Sequence, residues 1–224
     1  MAQAFPTIQF IGLWGTYHDS LEWTQKNVHP STRKMYIWLG SSIGNLTRQQ
    51  ASEFMHTFQV NGMNQGDLFL CGIDRRNPFD IVSLAYNDRS GLSREFSLNG
   101  LDNANTILKD KVFDRNNFEF VSIYNEVEGR HEAYFESKLK QVVKHSTFQV
   151  QLEQGELISF EFSYKYSQDE ITRMLHFAQL SNLGKWTDSN NLYDLHLFFK
   201  APIVSSQGSS NSTHPTVNEW QVKS

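Results

Sequence analysis

Two short stretches of this sequence gather residue types that can hold a small polar ligand. The first is Gly40-Ser41-Ser42-Ile43-Gly44-Asn45. Its glycines let the backbone approach a ligand closely, and the Asn45 amide offers both donors and an acceptor. The same residues suit a tight strand-to-helix turn with Asn45 as the N-cap, and the sequence leaves both uses open. The second stretch is Glu161-Phe162-Ser163, with Lys165 beyond it. On a strand, alternate residues share a face, so a carboxylate and a hydroxyl stand side by side there. They would grip a substrate that carries hydrogen-bond donors, or form an ordinary solvated sheet face.

Other chemistries lack their signatures. No G-x-G-x-x-G, Walker lysine, G-x-S-x-G elbow or H-E-x-x-H occurs. His131-Glu132 starts like a zinc-protease motif, but the second histidine is missing and the segment reads as a strand. The remaining histidines do not fall at metal-ligand spacing, and the single cysteine, Cys71, excludes a disulfide framework or a Cys-rich zinc site. No metal site is expected.

The elements that position these residues follow from hydrophobic pattern. Ile8–Leu13, Met35–Leu39 and Asp67–Ile73 are apolar runs that end in turn residues and lead into helical periodicity, the pattern of βα units with buried parallel strands. After the second run, Asn45 or Thr47 can cap a helix whose Ala51, Phe54, Met55 and Phe58 share one face. A helix from near Pro78 to Tyr86 and another after Gly91 follow. From Phe118 to Phe162 the period drops to two, with turns at Glu128-Gly129 and Gln154-Gly155, as in an antiparallel sheet with one wet face. A helix over Ile171–Leu180 and a strand over Leu192–Phe199 return to the α/β pattern. The Ser/Asn-rich stretch from Ser205 to Thr213 has little to bury and reads as a linker or disordered tail. In open α/β sheets ligands bind beyond the carboxyl ends of the strands, which directs attention to Gly15–Asp19, Gly40–Asn45 and Asp74–Pro78.

Composition narrows the partners. The 224 residues are 39% hydrophobic and 13% aromatic, enough for a real core. Lys+Arg number 20 against Asp+Glu 24, a net charge of −4 with no basic stripe, so nucleic acid is not an expected partner. No apolar run approaches the ~20 residues of a membrane span, and residues 1–6 lack a signal-peptide layout. A cytoplasmic protein without a membrane partner is expected.

Five blocks sharpen the reading: Gly12-Leu-Trp-Gly-Thr-Tyr-His-Asp, Leu39-Gly-Ser-Ser-Ile-Gly-Asn-Leu, Ala85-Tyr-Asn-Asp-Arg-Ser-Gly, Phe96-Ser-Leu-Asn-Gly-Leu-Asp-Asn-Ala-Asn and Glu161-Phe-Ser-Tyr-Lys-Tyr. In this order and content they resemble the histidine-specific, S-adenosylmethionine-dependent methyltransferase family. That family includes the enzyme that trimethylates histidine in ergothioneine biosynthesis and the fungal 4-dimethylallyltryptophan N-methyltransferase of ergot alkaloid biosynthesis. The segments around Asn99 and Ala104 resemble the fungal branch. The resemblance implies a partial Rossmann-like class I methyltransferase sheet, α/β in class, with an inserted antiparallel α+β substrate-binding subdomain. It assigns 1–86 and 167–200 to the core, 87–166 to the insert and 201–224 to the tail. It implies S-adenosylmethionine as cofactor and a small amino-acid substrate.

Residue by residue, the resemblance gives Asn45 the substrate's α-amino-acid group and Tyr86 its carboxylate. Glu161 and Ser163 match the pair that grips the imidazole in the histidine enzymes. Thr16 and Tyr17 match the segment at the adenine end of the cofactor, Thr16 standing where bacterial members carry an acidic residue. Gly40 and Ser41 lie beside its methionine portion. The family's glycine-rich loop, ribose-binding acidic residue and tyrosines near the substrate amine have no counterpart in residues 1–11. The resemblance therefore implies a missing N-terminal segment, and weak or absent catalysis from this chain alone. His214-Pro-Thr-Val-Asn-Glu-Trp is similar to the start of the joint to a fused C-terminal domain in fungal ergothioneine enzymes. The alternative is a catalytically dead remnant that binds an amino acid or a partner.

Overall fold

The computed structural model describes residues 5–201. The expected tail over 205–213 and the segment from residue 214 lie outside them. In chain order the elements are α1 (Tyr17–Asn27), β1 (Met35–Trp38), α2 (Arg48–Asn61), β2 (Leu68–Asp74), α3 (Phe79–Tyr86) and α4 (Leu92–Leu108). Then come β3 (Phe118–Asn125), β4 (Arg130–Ser137), β5 (Gln141–His145), β6 (Phe148–Leu152), β7 (Leu157–Tyr164), α5 (Gln168–Ala178), β8 (Ser181–Thr187) and β9 (Tyr193–Phe199).

The first sheet has the order β1-β2-β9-β8. β1 and β2 are parallel and joined through α2, while β9 pairs antiparallel with both β2 and β8. Phe69, Cys71, Ile73 and Phe198 are buried in this sheet, against Ala51, Met55 and Phe58 of α2 and Ile171, Met174 and Ala178 of α5. α2 starts where its chemistry allows. Thr47 Oγ1 accepts from the Gln50 amide at 3.2 Å, and Gln50 Oε1 accepts from the Thr47 amide at 3.0 Å. Thr47, not Asn45, is thus the cap, because the capping box needs the Gln side chain three residues on. Asn45 ends a short 3-10 turn, Ser42–Asn45.

The second sheet has the order β3-β4-β7, all antiparallel, with α4 and the β5–β6 hairpin over a separate small core of Leu98, Leu101, Phe118, Phe135, Val143 and Leu152. The α/β class and the antiparallel insert match expectation. The hairpin and β8 were not legible as strands, since β5, β6 and β8 bury almost no apolar side chains beyond Val143 and Leu152.

One expected element is absent. Ile8–Leu13 forms no strand, and Ile8, Phe10, Ile11 and Leu13 are about half exposed. A strand exists only where a neighbour accepts its ladder, and none of the described residues pairs with this run. β1 is itself an edge strand, its Ile37 62% exposed. Among the described residues no helix is long and apolar enough to cross a membrane.

Candidate functional site

The two sheets meet where the chain leaves β7. The Tyr166 amide donates to the Asp74 carbonyl at 3.0 Å, and the Arg76 amide donates to the Tyr166 carbonyl at 3.2 Å. This crossing lays the end of β7 beside the end of β2. A charged clasp secures it: Glu170, buried at the start of α5, takes Arg76 at 2.6 Å and Arg48 at 2.7 Å. Burial pushes the Glu170 carboxyl up, but the Ser167 amide and the two arginines outweigh it and hold the group below the usual carboxylate range. Both arginines also donate to the Glu128 carbonyl in the β3–β4 turn.

The crossing brings Lys165 inside. Its side chain is 3% exposed, and its ammonium donates to Asp74 Oδ2 at 2.7 Å, to the Tyr86 hydroxyl at 2.7 Å and to Ser163 Oγ at 3.1 Å. The Tyr86 hydroxyl in turn donates to Ser163 Oγ at 2.8 Å. Burial alone would lower the lysine's pKa, but Tyr86 and Asp74 outweigh it and raise it, so the side chain stays an ammonium. Tyr86 is the last residue of α3, and its ring stacks on His131 of β4 with centroids 3.8 Å apart and planes 12° from parallel. His131 is paired with Ser163 in the β4–β7 ladder. It is 1% exposed, and its Nε2 is 2.8 Å from Ser122 Oγ. Its Nδ1 has no partner. Burial, helped by Lys165, lowers its pKa to about 4, so the ring is neutral at ordinary pH.

Tyr86, His131 and Glu161 line one cavity of about 500 Å3, with Phe96 and Phe120 among its apolar walls. Ser163, behind Tyr86, is 6% exposed, whereas Glu161 is exposed with its carboxylate open to a ligand. Three of the four expected substrate residues thus meet, Tyr86 of α3 with Glu161 and Ser163 of β7. Asn45 is exposed and does not line this cavity. Its turn packs on β7, where a Cβ on Gly44 would stand 2.5 Å from the Tyr164 carbonyl oxygen. His131, Lys165 and Asp74 were not expected in the cluster. The alternation that pairs Glu161 with Ser163 extends to Lys165, and Asp74 opens one of the loops at the carboxyl ends of the strands, whereas nothing local marked His131.

The residues expected at the cofactor lie around the carboxyl end of β1. Gly40 (φ +84°) and Ser41 (φ +59°) turn the chain there, with open space around the position of a Cβ on Gly40. The Gly40 amide donates to the Tyr193 hydroxyl at 3.2 Å, and Ser41 Oγ accepts from the Asp74 amide at 2.8 Å. The Tyr17 ring packs on Trp38 with centroids 4.5 Å apart, and Trp38 Nε1 donates to Ser42. Tyr17 shares a cavity of about 240 Å3 with Trp38 and Leu39, and with Thr16, Trp14 and Trp23 lines another of about 390 Å3. The Thr16 hydroxyl is committed to capping α1: it donates to Asp19 Oδ2 at 2.7 Å and accepts from the Asp19 amide. Gly40 and Ser41 line neither cavity.

Residues 1–200 match the family model described as histidine-specific methyltransferase, SAM-dependent. The chain belongs to that family. It is 34% identical over 216 residues to ergothioneine biosynthesis protein 1 of Neurospora crassa, covering 94% of this chain and 24% of that protein. N-methyltransferase imqF of Aspergillus flavus is 27% identical over 201 residues, 89% of this chain and 53% of that one. The 4-dimethylallyltryptophan N-methyltransferase easF of Arthroderma benhamiae is 28% identical over 200 residues, 83% and 58% respectively. The chain spans about a quarter to somewhat over half the length of these relatives.

Proposed function

We propose that this chain supplies the substrate side of an S-adenosylmethionine-dependent N-methyltransferase acting on the α-amino group of an aromatic amino acid, histidine or 4-dimethylallyltryptophan. The observation that carries this reading is the single cavity where the Tyr86 phenol and the Glu161 carboxylate face the same space, backed by Ser163. The bound cofactor supplies an electrophilic methyl group, and an in-line displacement needs little from the protein beyond alignment. On this side Glu161 accepts from a ring N–H, the Tyr86–Ser163 hydroxyl pair, joined by one mutual hydrogen bond, has a single hydrogen left for an acceptor of the substrate, and Phe96 and Phe120 exclude water. Asn45 does not line this cavity, and its assignment to the α-amino-acid group rests on the resemblance alone. The amine is thereby held between Glu161 on one side and the Tyr86–Ser163 pair on the other, with its lone pair free.

For the cofactor, Gly40 offers exposed backbone and room beyond β1, with the buried Ser41 bracing the turn through the Asp74 amide, and Tyr17 offers an aromatic face. These features suit the methionine and adenine ends respectively. Thr16 contributes through the helix start it caps rather than through its hydroxyl. The cytosol is the location this reading proposes, in keeping with a single cysteine and so no disulfide framework. Incubation with methyl-labelled S-adenosylmethionine and L-histidine or 4-dimethylallyltryptophan tests it, and label on the amino nitrogen of one of them is expected. A second reading rests on the contrast between a complete polar cluster at Tyr86 and an open cofactor wall: an amino-acid-binding remnant. Calorimetric binding of the amino acid without cofactor binding or transfer would replace the first reading by the second.

A further inference from the structure

The turn after β1 holds a backbone shape that a serine does not adopt unaided. Gly40 and Ser41 both have positive φ, +84° and +59°, a region that residues with a Cβ disfavour. Such a residue persists only where its surroundings over-determine it, and here three hydrogen bonds do so. The Gly44 amide donates to the Ser41 carbonyl at 2.9 Å, the Asp74 amide to Ser41 Oγ at 2.8 Å and the Gly40 amide to the Tyr193 hydroxyl at 3.2 Å. The first is internal to the turn and the second comes from the end of β2. The third comes from the start of β9, 153 residues further along the chain.

β2 stands between β1 and β9 in the sheet, so the Tyr193 phenol must cross it to reach Gly40. It crosses over Gly72, where a Cβ would stand 1.7 Å from the Tyr193 hydroxyl oxygen. Gly72 is not among the glycines with positive φ, so its backbone would accept a side chain. A glycine inside a strand weakens it, and this one is demanded by the space above it rather than by its own conformation. Asp188 fixes the other end of the reach: its Oδ1 accepts from the Leu192 amide at 2.6 Å and from the Tyr193 amide at 2.8 Å.

We propose that Tyr193 is a positioning residue for the cofactor: its hydroxyl latches the Gly40–Ser41 turn from across the sheet and keeps that backbone shaped for the methionine end of S-adenosylmethionine. This deepens the proposed reading and rests on its placing the cofactor at the turn, where the space around Gly40 is open. A turn that is correctly shaped only part of the time binds its ligand more weakly in the same proportion. Releasing the latch therefore weakens the cofactor. It leaves the amino-acid cavity as it was, since neither Tyr193 nor Gly40 lines that cavity.

Two variants of the full chain test the proposal. Tyr193→Phe removes the hydroxyl and keeps the ring, while Gly72→Ala keeps the hydroxyl and blocks its path. Hydrogen exchange of the Gly40 amide, followed by NMR without ligand, is expected to quicken about fivefold in both, the scale of one neutral hydrogen bond. Unchanged exchange in Tyr193→Phe overturns the latch. In calorimetric titration both variants should bind S-adenosylhomocysteine about fivefold more weakly, with L-histidine changed by less than about twofold. Unchanged affinity for S-adenosylhomocysteine, or equal weakening of both ligands, overturns the role toward the cofactor. Should Gly72→Ala not fold, Tyr193→Phe decides alone. If wild type does not bind S-adenosylhomocysteine, the placing of the cofactor fails and the positioning role falls with it, while the Gly40 exchange still decides whether Tyr193 holds the turn.

Discussion

The ends of β2 and β7 and the free edge of β1 belong to one molecule but obey opposite rules. At the first, Lys165, Tyr86, Ser163 and Asp74 satisfy one another almost completely, at 3% exposure for the lysine. At the second, Ile37 is 62% exposed, Leu39 54%, Met35 49%, and Trp14 nearby is wholly in solvent. Burying a charge without partners costs several kcal/mol, so the cluster holds because all three protons of the ammonium have acceptors. The β1 edge carries no such penalty. It exposes apolar surface and unpaired backbone, which is the composition of a surface that associates. The contrast teaches that the cluster at the ends of β2 and β7 satisfies its own buried charge, while the edge of β1, beside the proposed cofactor end, is open among the described residues.

The largest expected effect breaks the closed region. Glu170→Gln keeps the capping box with Ser167 but removes the anion between Arg48 and Arg76, and should cost about 3 kcal/mol in denaturant unfolding. A loss under about 1 kcal/mol would mean the clasp contributes little to joining the two sheets. Acid should loosen the same region by a similar amount. In the unfolded chain the imidazole of His131 takes up a proton near its ordinary 6.5, in the folded chain only near about 4. Between those values the unfolded state binds more protons, so stability is full above about pH 6.5 and falls as pH drops toward 4, by up to about 3 kcal/mol. Unfolding curves at pH 7 and pH 4 should show that extra loss in wild type and not in His131→Gln. Identical slopes in the two proteins would remove His131 from the cluster's energetics. The smallest effect on stability lies at the open edge. Ile37→Lys should change stability by less than about 0.5 kcal/mol yet lower self-association in sedimentation velocity, since a charge on an edge strand blocks pairing. Unchanged association would show that the edge is not the sticky surface.

Much of the closed region was written in the chain. The apolar stripe Ala51-Met55-Phe58, the run that became β2 and the period-two segments of β3, β4 and β7 all form where pattern places them. The resemblance pointed to Tyr86, Glu161 and Ser163, and two of these line one cavity with the third bonded behind. His131 was legible only as a strand residue, because nothing local marks a histidine that will stack on a tyrosine 45 positions earlier. Ile8–Leu13 failed in the opposite sense: its composition suits a strand, but composition cannot provide the neighbour.

What the sequence determined by itself was therefore local: caps, turns, buried faces and the alternation that puts Glu161, Ser163 and Lys165 in step. Only the tertiary structure decided that Lys165 is buried rather than solvated. Its partners Asp74 and Tyr86 lie 91 and 79 residues away, and it took the crossing of β2 and β7 to bring them within 2.7 Å. Hydrophobic periodicity is a property of neighbours along the chain, whereas the satisfaction of a buried charge depends on whichever groups the fold delivers to it.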